Sequence, residues 1–234
     1  MPKVYLIPNF LHQDAPQTVP DYIAKIVSGV RCFAVEEGKS ARMLLKEISP
    51  TMPLAECLFF ELSEHTSPED IKTFFAGHKT EDIGIIPEAG VPCVADPGAE
   101  LVRLAHEHHV EVVPLVGPSS VILALMASGL NGQNFAFNGY LPKEKDARVK
   151  KLRELERRSA FENQTQIFME TPYRNQNIFD EILEICDPKT LLCVAVDITA
   201  PSEFIKTMPV DAWKVTKISL NKRPALFLIL KNKK

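Results

Sequence analysis

The stretch "DIGIIPEAGVPCVADPGAELVRLAHE", residues 82–107, passes from a short apolar run through a stiff turn into a helical pattern. Residues 83–86 read as a buried strand, and residues 99–105 carry helical spacing. Two or three turn residues would be enough to join them. Residues 88–98 stand there instead, with Gly90 and Gly98, Pro92 and Pro97, Glu88 and Asp96 among them. A strand, a rigid loop at its carboxyl end and a helix form the repeating unit of a wound α/β sheet. In such sheets ligands bind beyond the carboxyl ends of the strands.

The same alternation extends outward. Strands are expected at 4–7, 32–35, 57–60, 83–86 and 110–113, separated by helices at 19–27, 40–48, 68–76 and 99–107. Ser67 is the expected N-cap of the third helix, with Pro68 at its first position, and Asp96-Pro97 is expected to start the fourth in the same way. Beyond 119 the strand patterns fall at 135–138, 166–169, 191–196, 203–207 and 226–230, with helices at 119–128, 145–158 and 173–185. Only the short "VDAW" at 210–213 interrupts the last three strands, which points to antiparallel pairing. The expected fold class is α/β, with two α/β domains at 1–115 and 116–234. The first is a wound, mostly parallel sheet, the second a mixed sheet, and a ligand cleft is expected between them.

A hydrophobic content of 45% and a charged content of 24% are those of a soluble globular protein with a substantial core. No apolar run approaches bilayer-spanning length, and Met1-Pro2-Lys3 leads straight into a strand without signal-peptide anatomy, so no membrane partner is expected and the expected location is cytoplasmic. A net charge of −3 argues against binding nucleic acid through overall charge, leaving a local basic patch as the remaining route. Cys32, Cys57, Cys93, Cys186 and Cys193 are widely spaced with no CxxC, so they read as buried free thiols, and no metal is expected.

Two strand tips carry ligand-site chemistry, 87–91 and 114–120 ("PLVGPSS"). Gly90, Gly98 and Gly117 let backbone approach a ligand, and the prolines hold the loops still. Ser119 and Ser120 open a helix whose free N–H groups favour a carboxylate. Glu88 suits a ribose or an amine as hydrogen-bond acceptor. No GxGxxG, GxxxxGK[ST] or GxSxG is present, so dehydrogenase, phosphate-loop and hydrolase readings lack their motifs. On spacing alone, tight turns and a ligand site remain equal alternatives.

In order along the chain, "EAGVPCVADPG", "PLVGPSSVILALMASGL", "FNGYLPK" and "METPYR" resemble the tetrapyrrole methylase superfamily of S-adenosylmethionine-dependent methyltransferases. They are most similar to the branch that methylates the ribose 2′-oxygen of cytidine in small-subunit ribosomal RNA. Order and spacing hold over residues 84–200 or so; before that, Pro8 and the stretch 36–45 match more loosely. The resemblance implies a methyltransferase using S-adenosylmethionine, acting as a homodimer, with ribosomal RNA as a partner. It implies a donor site at Pro8, Glu88, Gly90, Val91, Gly117, Ser119, Ser120, Met169, Ala195 and Ala225. On the substrate side it implies Asp96, Lys143, Glu170 and Arg174, with the general base unassigned. The chain departs from the branch at residues 9–13, which lack a glycine, and at Gly38 and Ala41, which replace threonines. Val196 replaces an arginine, and the chain stops at Lys234, short of the branch's C-terminal extension.

Elsewhere, "HEHH" at 106–109 closes a helix and reads as a solvated helix end, while His12, His65 and His78 read as lone histidines in polar loops. Residues 143–158 hold eight Lys or Arg against four acids on an amphipathic helix with Val149, Leu152 and Leu155 inward. That basic face fits a solvated surface or contact with RNA phosphates. Three functions stay open: RNA ribose methylation, methylation of a tetrapyrrole or other small molecule, and donor binding without catalysis.

Overall fold

The computed structural model describes residues 1–231 and divides into two compact units, Met1–Ser119 and the remainder from Ser120. The first unit alternates strand and helix: β1 (Lys3–Leu6), α1 (Tyr22–Val27), β2 (Cys32–Val35), α2 (Gly38–Ile48), β3 (Leu58–Glu61), α3 (Pro68–His78), β4 (Ile83–Ile86), α4 (Ala99–Glu107) and β5 (Glu111–Pro114). The strands lie in the order β3-β2-β4-β1-β5, every pair parallel. All five strand tips therefore share one edge.

Helices cover both faces, so the central β2 and β4 are buried throughout. Alternation along β2 sends Phe33 and Val35 into a cluster with Ile23, Val27, Leu44 and Leu45. It sends Cys32 and Ala34 into another with Phe74, Phe75, Leu101 and Leu104. Hydrophobic burial on two faces of one sheet is the main force holding this unit together.

The helix starts differ from expectation in one case. At α3, the Ser67 hydroxyl accepts from the Asp70 N–H at 3.1 Å, with Pro68 behind it, as expected. At α4 the residue before the helix is Gly98, with φ at 128°, and no side chain caps it. Asp96 is not a helix cap, because the chain turns once more through Gly98 before the helix begins. His78 is likewise not a loop histidine; it is the last residue of α3.

The second unit contains α5 (Ser120–Ser128), β6 (Phe135–Tyr140), α6 (Lys145–Glu162), β7 (Thr165–Met169), α7 (Asn175–Ile185), β8 (Leu191–Val196), β9 (Phe204–Pro209), α8 (Val210–Trp213) and β10 (Ala225–Leu230). Its sheet runs β6-β7-β10-β8-β9, with β6 and β7 parallel and the other pairs antiparallel. The expected wound sheet and mixed sheet are both present.

Trp213, the chain's single tryptophan, is fully buried. Its indole N–H donates to the Leu192 carbonyl at 2.9 Å, and its ring meets Phe179 edge-on at 5.5 Å. Replacing it with alanine opens a large cavity and removes that carbonyl's indole donor. Trp213→Ala is expected to destabilise the second unit by about 3–5 kcal/mol in denaturant unfolding followed by circular dichroism; a loss below about 1 kcal/mol contradicts this packing.

Candidate active site

The shared strand-tip edge of the first unit is built around Asn9, a residue the sequence pattern did not single out. Its backbone N–H donates to the Gly90 carbonyl at 2.8 Å, and the Gly90 N–H returns the bond at 3.1 Å. Its side-chain amide donates to the carbonyls of Pro87 and Glu88 at 3.2 and 2.8 Å, while its oxygen accepts from the Phe10 N–H at 2.9 Å. Asn9 therefore ties the loop after β1 to the tip of β4. The only sequence signal is an amide directly after an apolar run and a proline, where a side chain must satisfy buried backbone groups.

Gly117 joins the third loop to this pair. A Cβ on Gly117 would lie 2.1 Å from the Cβ of Pro8, so no other residue fits. The close approach expected of Gly117 is thus made to the Pro8 ring. Gly90, with φ at 76°, faces Leu11 and the Pro118 carbonyl. Pro8, Glu88, Gly90 and Gly117 are brought together on one edge, with Val91 and Ser119 next to them in the chain.

Residues 88–98 complete the edge and explain their own composition. Cys93 and Ala95 hold positive φ angles of 67° and 66°, and Gly98 lies against the Cys93 sulfur. Non-glycine residues in this region cost of order 1 kcal/mol each and persist only where their surroundings hold them. The loop folds back on itself, so glycines and prolines are needed where an ordinary turn would not need them.

The edge is acidic. The Glu88 N–H donates to the Glu36 carboxylate at 2.8 Å, joining the tips of β4 and β2. Burial pushes the Asp96 carboxyl up to about 7, and the negative charges of Glu36 and Glu88 add to that. Glu36 is a second residue that sequence reasoning passed over as a candidate. At the start of α2, Glu37 accepts from the N–H groups of Lys39 and Ser40, which holds its own carboxyl below the usual range.

In the second unit, Met169, Ala195 and Ala225 lie near the ends of β7, β8 and β10 that meet at one edge: Ala225 pairs with Val196, and Leu226 with both Met169 and Ala195. Ala195 is fully buried and Met169 half-buried. Ser120 begins α5. Glu170, buried just after β7, lies 3.0 Å from the Arg174 guanidinium, so these two substrate-side candidates neutralise each other. Lys143 is exposed, and its carbonyl accepts from Arg148. Asp96 belongs to the other unit. Val196 is fully buried in the core, so an arginine at this position would have to bury its charge.

Helix α6 is less basic on its surface than its sequence. Arg148 turns inward and forms a two-pronged pair with Glu181, both contacts at 2.6 Å. Lys151 pairs with Glu154 and Arg158 with Glu162. Lys150, Arg153 and Arg157 remain exposed, with no ion pair among the described residues.

No family model matches the chain. It is 30% identical over 211 residues to ribosomal RNA small subunit methyltransferase I of Vibrio cholerae, covering 89% of this chain and 69% of that protein. It is 28% identical over 215 residues to the protein of the same name from Escherichia coli O157:H7, covering 90% and 71%. The chain belongs to this methyltransferase family. Solved methyltransferase structures share the fold at low identity. The methyltransferase CobJ superposes with a TM-score of 0.65 at 14% identity, covering 99% of this chain and 95% of CobJ. The uroporphyrin-III C-methyl transferase of Thermus thermophilus, complexed with S-adenyl homocysteine, gives 0.58 at 18%, covering 98% and 97%.

The acidic edge has a thermodynamic signature. Asp96 ionises near pH 7 when folded, against 3.8 for an ordinary aspartate. Between those values the folded chain holds a proton that the unfolded chain has lost, so stability falls as pH rises from about 4 through about 7. Asp96→Asn, which cannot ionise, is expected to lose this component of the fall. Denaturant unfolding at pH 5 and pH 8 tests it: the variant should gain on the wild type at pH 8, and an advantage equal at both values contradicts the assignment.

Proposed function

We propose that this protein is a cytoplasmic methyltransferase that transfers the methyl group of S-adenosylmethionine to a ribose 2′-hydroxyl of small-subunit ribosomal RNA. The observation that carries the reading is the similarity to ribosomal RNA small subunit methyltransferase I across 89% of the chain. The acid set of the first unit supports the donor. Glu36, Glu88 and Asp96 gather beyond the tips of β2 and β4, a surroundings that suits a sulfonium cation and ribose hydroxyls and repels a polyphosphate. Gly90, itself buried, and Gly117, packed on the Pro8 ring, hold the loops beside them. No helix among the described residues is long and apolar enough to cross a membrane.

When bound, S-adenosylmethionine supplies a methyl group already activated on positive sulfur, so direct displacement needs no metal. The acceptor hydroxyl must lose a proton as its oxygen attacks. Asp96 has the protonation equilibrium for that step, because a base works best when its pKa lies near the working pH. Glu88, held through its N–H by Glu36, fixes the charge beside it. The rigid loop from Gly90 to Gly98 holds Asp96 in place.

On the second unit, exposed Lys150, Arg153 and Arg157 support contact with RNA phosphates. The same reading includes a homodimer. Ile122 and Met126, 44% and 73% exposed and four residues apart on α5, form an apolar face that a second copy would cover.

Incubation with methyl-labelled S-adenosylmethionine and small ribosomal subunits from cells lacking the protein is expected to label one ribose, with dimeric mass in sedimentation. Lys150→Glu with Arg157→Glu should weaken RNA binding and reduce its salt dependence while leaving donor binding intact. Label appearing on a porphyrinogen extract and not on RNA would overturn the acceptor assignment.

A further inference from the structure

The edge of the first sheet opposite the strand tips carries a second cluster of chemistry. Cys32 is the first residue of β2, His78 the last of α3, and Glu81 stands in the turn before β4. The Cys32 sulfur, a ring nitrogen of His78 and a carboxylate oxygen of Glu81 all lie within 4.8 Å of one another. Among the described residues this is the one group of three or more such side chains placed to share an ion. It uses nothing assigned to methyl transfer, and no metal-ligand motif marks it in the sequence.

We propose that these three side chains form a structural zinc site that clamps the end of α3 to the starts of β2 and β4.

The ligand types agree with zinc. A thiolate, an imidazole and a carboxylate suit a borderline-soft divalent ion, whereas magnesium and calcium require oxygen alone. A tetrahedral zinc ion places its ligand atoms roughly 3.3–3.8 Å apart, given Zn–S near 2.3 Å and Zn–N or Zn–O near 2.1 Å. His78 Nδ1 and Glu81 Oε1 are already 2.6 Å apart, so they separate slightly while the group closes on the sulfur. The flexible carboxylate, 48% exposed, supplies that movement.

The other two ligands are held in place. Strand β2 pairs on both sides at Cys32, with Ile83 and Leu58. The His78 ring lies 5.1 Å from the Phe74 ring, which itself stacks on Phe60 at 4.3 Å. The Glu81 N–H donates to the His78 carbonyl at 3.0 Å, closing the turn that carries both residues. One side of the group is buried at Cys32 and the other opens to solvent at Glu81, where water would take the fourth position.

The proton balance is simple. Without an ion, burial pushes the Cys32 thiol up to about 12, with Glu81 adding to it, so the sulfur is protonated. Zinc takes the sulfur as thiolate and one proton leaves to solvent. On binding, the His78 ring proton moves from Nδ1, which faces the Glu81 carboxylate in the metal-free chain, to Nε2, freeing the Nδ1 lone pair for the ion.

Cobalt(II) tests the site, because thiolate ligation gives a near-ultraviolet charge-transfer band that histidine and carboxylate ligation do not. The metal-free full chain is expected to bind one cobalt with that band, lose the band on adding zinc, and gain thermal stability in zinc. Cys32→Ser should abolish the band, whereas Cys93→Ser, at the other edge, should retain it. Should Cys32→Ser fail to fold, His78→Asn serves instead and is expected to weaken metal binding by at least about tenfold. A cobalt complex without the band, a band that survives Cys32→Ser, or affinity unchanged in His78→Asn would overturn the proposal. In that case His78 and Glu81 only close the end of α3.

Discussion

The first unit depends on a contact that tolerates no side chain. Gly117 sits so close to Pro8 that even a methyl group would interpenetrate the ring. That contact brings the loop after β5 onto the loop after β1, and Asn9 then brings in the tip of β4 through four hydrogen bonds. Three loops that would otherwise move separately become one rigid edge. Their anchor is the parallel sheet, whose hydrophobic faces fix where each strand ends.

Rigidity has a cost that the fold carries openly. Glu36, Glu88 and Asp96 repel one another in a partly desolvated place, and Asp96 answers by holding its proton to near pH 7. Cys93 and Ala95 add backbone strain. Free energy held in this way is consistent with a site prepared for a positive ligand, which would relieve the repulsion on binding. The buried strands and helices supply the stability against which these terms are set.

The period of apolar residues made most of the elements readable. Strands β2, β4 and β8 begin and end where alternation and flanking turns place them, and α3 starts at the expected serine and proline. Periodicity reports burial, which is a local average, so it reads elements well. It says nothing about which distant residue a side chain will meet. Asn9 is invisible to such patterns because its partners are 78 and 79 residues away in the chain. A proline after Asp96 points to a helix cap, although the decisive feature is the positive φ at Gly98 two residues later. Arg148 belongs to the basic pattern in sequence but is drawn inward by Glu181. Val196 stood out as a lost arginine, yet it is an ordinary core valine on this strand.

Amide hydrogen exchange with and without saturating S-adenosylhomocysteine tests the central claim most directly, since it reads each backbone segment separately. Bound ligand is expected to slow exchange in residues 8–11, 87–98 and 116–118 together, because one rigid edge carries all three. Binding that leaves those segments unchanged, or protects only one of them, would contradict the account.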